Sequence, residues 1–194
     1  MARCAPHGAR LSGLSRRLSY VLRHDPGAAG VQLDPGGWVD VDALLEGLAR
    51  TGRPVTRDEL DSVVTSSSKQ RFAYDATGRR IRAQQGHSVA VDLGLIPVAP
   101  PDRLFHGTVE PALDGIRREG ISRGSRHHVH LSPDAETARA VGRRRGAPVV
   151  LVVDAAAMAA EGHTFFVSGN GVWLTDEVPP GCLSVLGDDL STGR

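Results

Sequence analysis

The chain has 194 residues, a formal net charge of +1 and 40% hydrophobic residues, which suits one compact domain or two small lobes and argues against a disordered or collagen-like chain. No apolar run approaches the ~18 residues that a membrane span needs, and no secretory leader is expected. Cys4 and Cys182 stand far apart, so neither a disulfide framework nor a cysteine zinc site is expected, and a reducing, cytoplasmic setting is the default.

The first ~97 residues read as a small helical lobe carrying a hairpin. Leu14, Leu18, Val21 and Leu22 share one helical face, and that helix should end near His24, before Asp25-Pro26. Val31 to Leu33 and Trp38 to Val41 are expected as strands around the Asp34-Pro-Gly-Gly37 turn. A second helix spans about Asp42 to Ala49. A third starts at Thr56, with Glu59 at capping-box spacing. Arg71 to Asp75 and Arg80 to Gln84 then bracket Ala76-Thr-Gly-Arg79 as a hairpin. Helices followed by a basic hairpin suggest a winged helix. Residues 1 to 100 hold 13 basic and 10 acidic side chains, against 10 and 12 in the remainder, a mild asymmetry in favour of two lobes.

Val98-Ala-Pro-Pro101 is the best linker, because paired prolines interrupt regular structure. Beyond it come short strands and brief helices. Strands are expected at Leu104 to His106, Val129 to Ser132, Val149 to Val153, Thr164 to Val167, Val172 to Thr175 and Leu183 to Leu186. Helices are expected at Ala112 to Glu119, stopped by Gly120, and at Asp134 to Arg143. The fold class is α+β, with a mostly antiparallel sheet in the second lobe.

Several chemistries are disfavoured at once. Lys69 is the one lysine among 23 basic residues and it follows Ser68, so no P-loop is present. HExxH is absent, and Gly169-Asn-Gly171 lacks the third glycine of a dinucleotide fingerprint. The arginine excess reads as compositional bias, so arginine count alone says little about phosphate.

The remaining candidates are short blocks. Arg23-His24 closes the first helix, where cations favour the helix dipole. Lys69-Gln-Arg71-Phe places two cations at a strand start. Ile81-Arg-Ala-Gln-Gln-Gly-His87-Ser88 ends a strand in donors suited to an anion, though a plain polar loop explains it as well. His106-Gly-Thr108 directly follows an apolar strand, and glycine there would let a ligand approach the backbone. In Arg126-His-His128-Val-His130-Leu-Ser132, His128 and His130 share a strand face, but only Asp134 is near enough in sequence to add a metal ligand. The Ser168 to Trp173 block reads as a turn, with Trp173 in the core.

Taken in order, these blocks resemble the RNA 2′-phosphotransferases of the KptA type, relatives of the tRNA-splicing phosphotransferases. The likeness runs from about Leu14 to Val185 and rests on Leu22-Arg-His24, Lys69-Gln-Arg71-Phe72, Ile81 to Ser88, His106-Gly-Thr108, Arg126 with His128 to Ser132, and Asn170-Gly-Val-Trp-Leu. One departure is Gln84, where the family usually has Asn.

The resemblance implies a winged-helix RNA-binding lobe over residues 1–97 and an ADP-ribosyltransferase-like NAD-binding lobe over residues 98–194. It implies removal of an internal RNA 2′-phosphate, with NAD consumed, through an ADP-ribosylated RNA intermediate, as in tRNA splicing or RNA repair. Arg23, His24, Arg71 and Arg126 would be catalytic. His106, Gly107, Thr108, His128, Ser132 and Asn170 would bind NAD, and Lys69, Gln85, His87 and Ser88 would bind the RNA substrate. No metal, no membrane and a monomer are expected. Two alternatives stand beside this reading: an ADP-ribosyltransferase that caps terminal phosphates of RNA or DNA, and a non-catalytic winged-helix nucleic-acid binder.

Overall fold

Apolar spacing builds the first helix. In the computed structural model, which describes residues 7–66 and 69–187, α1 (His7–Arg23) buries Leu14, Leu18, Val21 and Leu22 on one face. A 3-10 turn at Pro26–Ala29 follows, capped by the Asp25 carboxylate, which accepts from the Ala28 amide at 3.1 Å. The expected strand at Val31 to Leu33 does not form. Gly30 is left-handed (φ 62°), and it turns the Val31 amide onto the Pro26 carbonyl at 3.2 Å, so this stretch closes the 3-10 turn instead of joining a ladder. The expected turn is present, with the Gly37 amide on the Asp34 carbonyl at 2.9 Å, but β1 is only Val39–Asp40 and pairs elsewhere.

The next two helices start at side-chain caps. Asp40 accepts from the amides of Asp42 and Ala43 to open α2 (Val41–Arg50). Thr56 and Glu59 form the reciprocal capping box ahead of α3 (Arg57–Ser66), with bonds of 3.2 and 3.1 Å. Such a cap contributes on the order of 1 kcal/mol. The hairpin of β2 (Phe72–Tyr74) and β3 (Arg80–Ala83) then forms a three-stranded antiparallel sheet in the order β1-β3-β2. Its turn is organised by Asp75. Loss of water would raise that carboxyl, yet the Arg80 and Arg79 amides, the Thr77 hydroxyl and the Arg80 guanidinium hold it down to about 2.

The remainder is built on β4 (Arg103–Val109), α4 (Leu113–Glu119), β5 (Ile121–Ser122), β6 (Val129–Leu131), α5 (Ala135–Gly142), β7 (Pro148–Asp154), α6 (Ala155–Ala160), β8 (Phe165–Val167), β9 (Trp173–Thr175), β10 (Glu177–Val178) and β11 (Leu183–Val185). The strands make three antiparallel sheets, β11-β7-β4, β6-β9-β8 and the pair β10-β5. The fold is α+β. Two compact units, Met1–Gly94 and Leu95–Arg194, each carry their own apolar core. The stretch expected as a linker starts within the second unit, because Pro97 bridges to Phe166 and the Val98 amide donates to the Phe165 carbonyl at 2.8 Å.

The His-Gly-Thr block lies inside β4, not after it. Leu104 is fully buried and Gly107 pairs with Val150, so the strand runs on to Val109. The missing side chain of Gly107 has a packing cause. A Cβ there would sit 1.8 Å from the Ala138 carbonyl oxygen and 2.9 Å from the Gly142 amide, both on α5. On the side where a Cβ would stand, the space is filled by a helix. We predict that Gly107→Ala costs about 1–3 kcal/mol or more through overpacking, read as a fall in Tm with no ligand present. An unchanged Tm would mean that α5 can retreat from β4.

Candidate active site

In the first unit the end of α1 meets the loop that leaves β3. The Arg23 carbonyl accepts from the amides of Ser88 at 2.9 Å and Val89 at 3.3 Å, a helix-terminal acceptor satisfied from far along the chain. The Ser88 hydroxyl lies 2.9 Å from His24 Nδ1, which ties the ring to the loop. Gly86 (φ 86°) passes close to the Arg23 guanidinium, and a Cβ there would be 3.5 Å from it. Glycine is suited to the torsion.

Arg71 is tied to the start of the same loop through its backbone. The Gln84 amide donates to the Arg71 carbonyl at 3.0 Å, and the Gln84 side-chain Nε2 donates to the Gln70 carbonyl at 2.7 Å. Gln70 is the only non-glycine residue with positive φ among those described, at 35°. Such a conformation costs roughly 1–2 kcal/mol, and one hydrogen bond contributes about the same. The loop from Gln84 to Ser88, which carries Gln85, thus joins the end of α1, with Arg23 and His24, to the strand start that carries Lys69 and Arg71. His87, in the same loop, is 1% exposed and packs beside Gly37.

Of the hairpin arginines, two are committed internally. Arg80 pairs with Asp34 and Asp75, both at 3.2 Å, and lies over Trp38. Arg82 stacks on Trp38 at 4.4 Å and donates to the Gly36 carbonyl. Arg79 is exposed.

In the second unit the chemistry gathers where β4 and β6 part. Phe105 and Ser132 exchange both backbone hydrogen bonds, at 2.9 and 2.7 Å, and the pairing stops there. By strand alternation the Gly107 backbone faces this same edge. In place of a further ladder bond, the His106 Nδ1–H donates to the His130 carbonyl at 3.2 Å, which leaves Nε2 as the acceptor of a neutral ring. His128 packs edge-on against Phe166 at 5.4 Å. The turn between β8 and β9 is closed by Ser168, whose hydroxyl is 2.8 Å from Asn170 Oδ1. Ser132 and Asn170 are half-buried, Thr108 is buried, and Arg126 is exposed beyond β5. Trp173 packs against the core, as expected. Among the described residues no three His, Cys, Asp or Glu side chains converge as a metal-ligand set, and no helix is long and apolar enough to cross a membrane.

Residues 9–177 match the profile of the RNA 2′-phosphotransferase, Tpt1 / KptA family. The chain belongs to this family. It is 55% identical over 172 residues to a protein of Nostoc punctiforme, a span covering 89% of this chain and 95% of the relative. It is 57% identical over 166 residues to one of Streptomyces coelicolor, covering 86% and 90%, and 56% identical over 176 residues to one of Burkholderia lata, covering 90% and 89%. All three bear the name "Probable RNA 2′-phosphotransferase".

Sequence reasoning missed two contributors in this family member. Gln84 was legible only as a departure from pattern, and its grip on Gln70 needs the fold. Arg145, just past α5, bears electrostatically on both His106 and Arg126, and nothing in the Arg143-Arg-Arg145 run distinguishes it beforehand.

The two site histidines set an acid limit on stability. Burial pushes His106 below its ordinary value, the His130 carbonyl opposes this, and Arg145 lowers it further. His128 is lowered too, by burial first, with Asp176 opposing and His127 and Arg123 adding. As pH falls below the unfolded value near ~6.5, the unfolded chain takes up protons that the folded rings refuse, so stability is lost on acidification. The carboxylates of Asp61, Asp75 and Asp134, all held low, act only at lower pH. Tm should therefore fall between pH 7.5 and 5, and fall less steeply in His106→Gln and His128→Gln. Equal slopes in all three proteins would remove these rings as the cause.

Proposed function

We propose that this chain is an NAD-dependent RNA 2′-phosphotransferase, with a winged-helix first unit that holds RNA and an ADP-ribosyltransferase-like second unit that holds NAD. The observation that carries the reading is the 84–88 loop, which ties the helix end bearing Arg23 and His24 to the strand start bearing Arg71, in a chain of this family. Guanidinium groups give bidentate, charge-assisted contacts to phosphate. In the second unit, the neutral His106 Nε2 and the Gly107 backbone edge offer an acceptor and amide groups suited to a ribose or a carboxamide, which fits NAD.

The chemistry runs in two steps. An oxygen of the RNA 2′-phosphate attacks the nicotinamide riboside carbon, and nicotinamide leaves with the bonding pair. The 2″-hydroxyl of the new ADP-ribose then attacks phosphorus, losing its proton, and the RNA 2′-oxygen leaves and is protonated. The products are 2′-hydroxyl RNA and ADP-ribose 1″,2″-cyclic phosphate. The first nucleophile is already ionised and needs no base. The second step needs proton transfer and stabilised charge, which suits His24, with its ring tied to the loop by Ser88, and Arg71.

Activity on RNA bearing one internal 2′-phosphate should require NAD, survive EDTA and yield the cyclic phosphate. Restoration of a chelated enzyme by Zn²⁺ or Mg²⁺ would overturn the metal-free scheme, and arrest at ADP-ribosylated RNA would point to a capping enzyme.

The steps can be separated. Removal of a preorganised donor to developing charge costs about 10²–10³ in rate. In single-turnover time courses, His24→Ala and Arg71→Ala should slow the second step more than the first, so that ADP-ribosylated RNA accumulates. If His24→Ala loses intermediate and product together while RNA and NAD still bind, His24 belongs to the first step.

A further inference from the structure

Arg71 is flanked by two peptide carbonyls, its own and that of Gln70, and one residue holds both. The Gln84 amide takes the Arg71 carbonyl at 3.0 Å, and its side chain takes the Gln70 carbonyl at 2.7 Å. The second bond is unusual in what it restrains. Gln70 has φ 35°, a left-handed conformation in which its Cβ crowds the backbone. Released, the Gln70 peptide would relax toward negative φ and swing the chain on either side, where Lys69 and Arg71 sit.

We propose that Gln84 is a positioning residue for Arg71, acting by clamping the left-handed Gln70 peptide. This rests on the role given to Arg71 above. A side-chain amide suits the task because it donates to a carbonyl without adding charge beside a site for phosphate. Length matters as well, since Gln84 reaches the carbonyl preceding Arg71 while its own backbone holds the one that follows.

The test compares the wild-type chain with Gln84→Ala, Gln84→Glu, Gln70→Gly and the double variant Gln70→Gly/Gln84→Ala, using NAD and 2′-phosphorylated RNA. Loss of one net hydrogen bond converts to as much as about tenfold. Gln84→Ala should slow single-turnover product formation by about that factor, with the KM for NAD unchanged and Tm shifted by no more than about 4 °C. Gln84→Glu should be no faster, because a carboxylate cannot donate. The double variant should recover most of the lost rate, because glycine takes a positive φ without the steric cost and no longer needs the clamp.

A second readout needs no turnover. Amide exchange of the peptide spanning 69–86 should quicken roughly three- to tenfold in Gln84→Ala. A Gln84→Ala enzyme at wild-type rate, or a loss that Gln70→Gly fails to relieve, would overturn the clamp. A wild-type chain that neither releases nicotinamide nor converts RNA would overturn the enzymatic reading instead, and unchanged exchange in Gln84→Ala would then overturn the clamp separately.

Discussion

A helix must find partners for its last carbonyls, and in the first unit that requirement organises the candidate site. The Arg23 carbonyl at the end of α1 accepts from Ser88 and Val89, residues that lie beyond the hairpin. Segments more than sixty residues apart are thereby joined at one peptide group. Ser88 can then reach His24, Gly86 can run beside Arg23, and the exit of β3 is held next to the entry of β2. The polar run 84–88 is a structural strap before it is anything else, and its chemistry follows from where the strap is fastened.

The second unit solves a related problem with a sheet that divides. Strands β4 and β6 share one bridged residue pair and then part, and a histidine ring supplies the donor that the interrupted ladder would have provided. On the opposite face of β4, α5 lies against Gly107 so closely that no side chain fits. Packing therefore occupies one face of the His-Gly-Thr block, and its polar edge is directed to the other side.

Local signals in the chain were read well because their causes are local. The apolar spacing of α1 and the Thr56–Glu59 box need only residues a few positions apart. The failures have distant causes. Val31 to Leu33 looks like a strand until Gly30 turns its amide away, and the packing reason for a glycine at 107 lies in α5, farther along the chain. His87 has the composition of a surface donor yet is buried beside Gly37. Block order revealed the family, but which members of a block face outward was set by packing.

The scarcity of lysine has a practical side. Lys69 is exposed and directly precedes the strained Gln70, and it carries the sole side-chain amine of the chain. A guanidinium is charged at any accessible pH and resists acylation, whereas an ε-amine is a ready nucleophile once deprotonated. Amine-directed acylation or reductive coupling would thus mark a single side chain, at the turn leading into Arg71. For a surface otherwise written in arginine, that lysine is a unique chemical address.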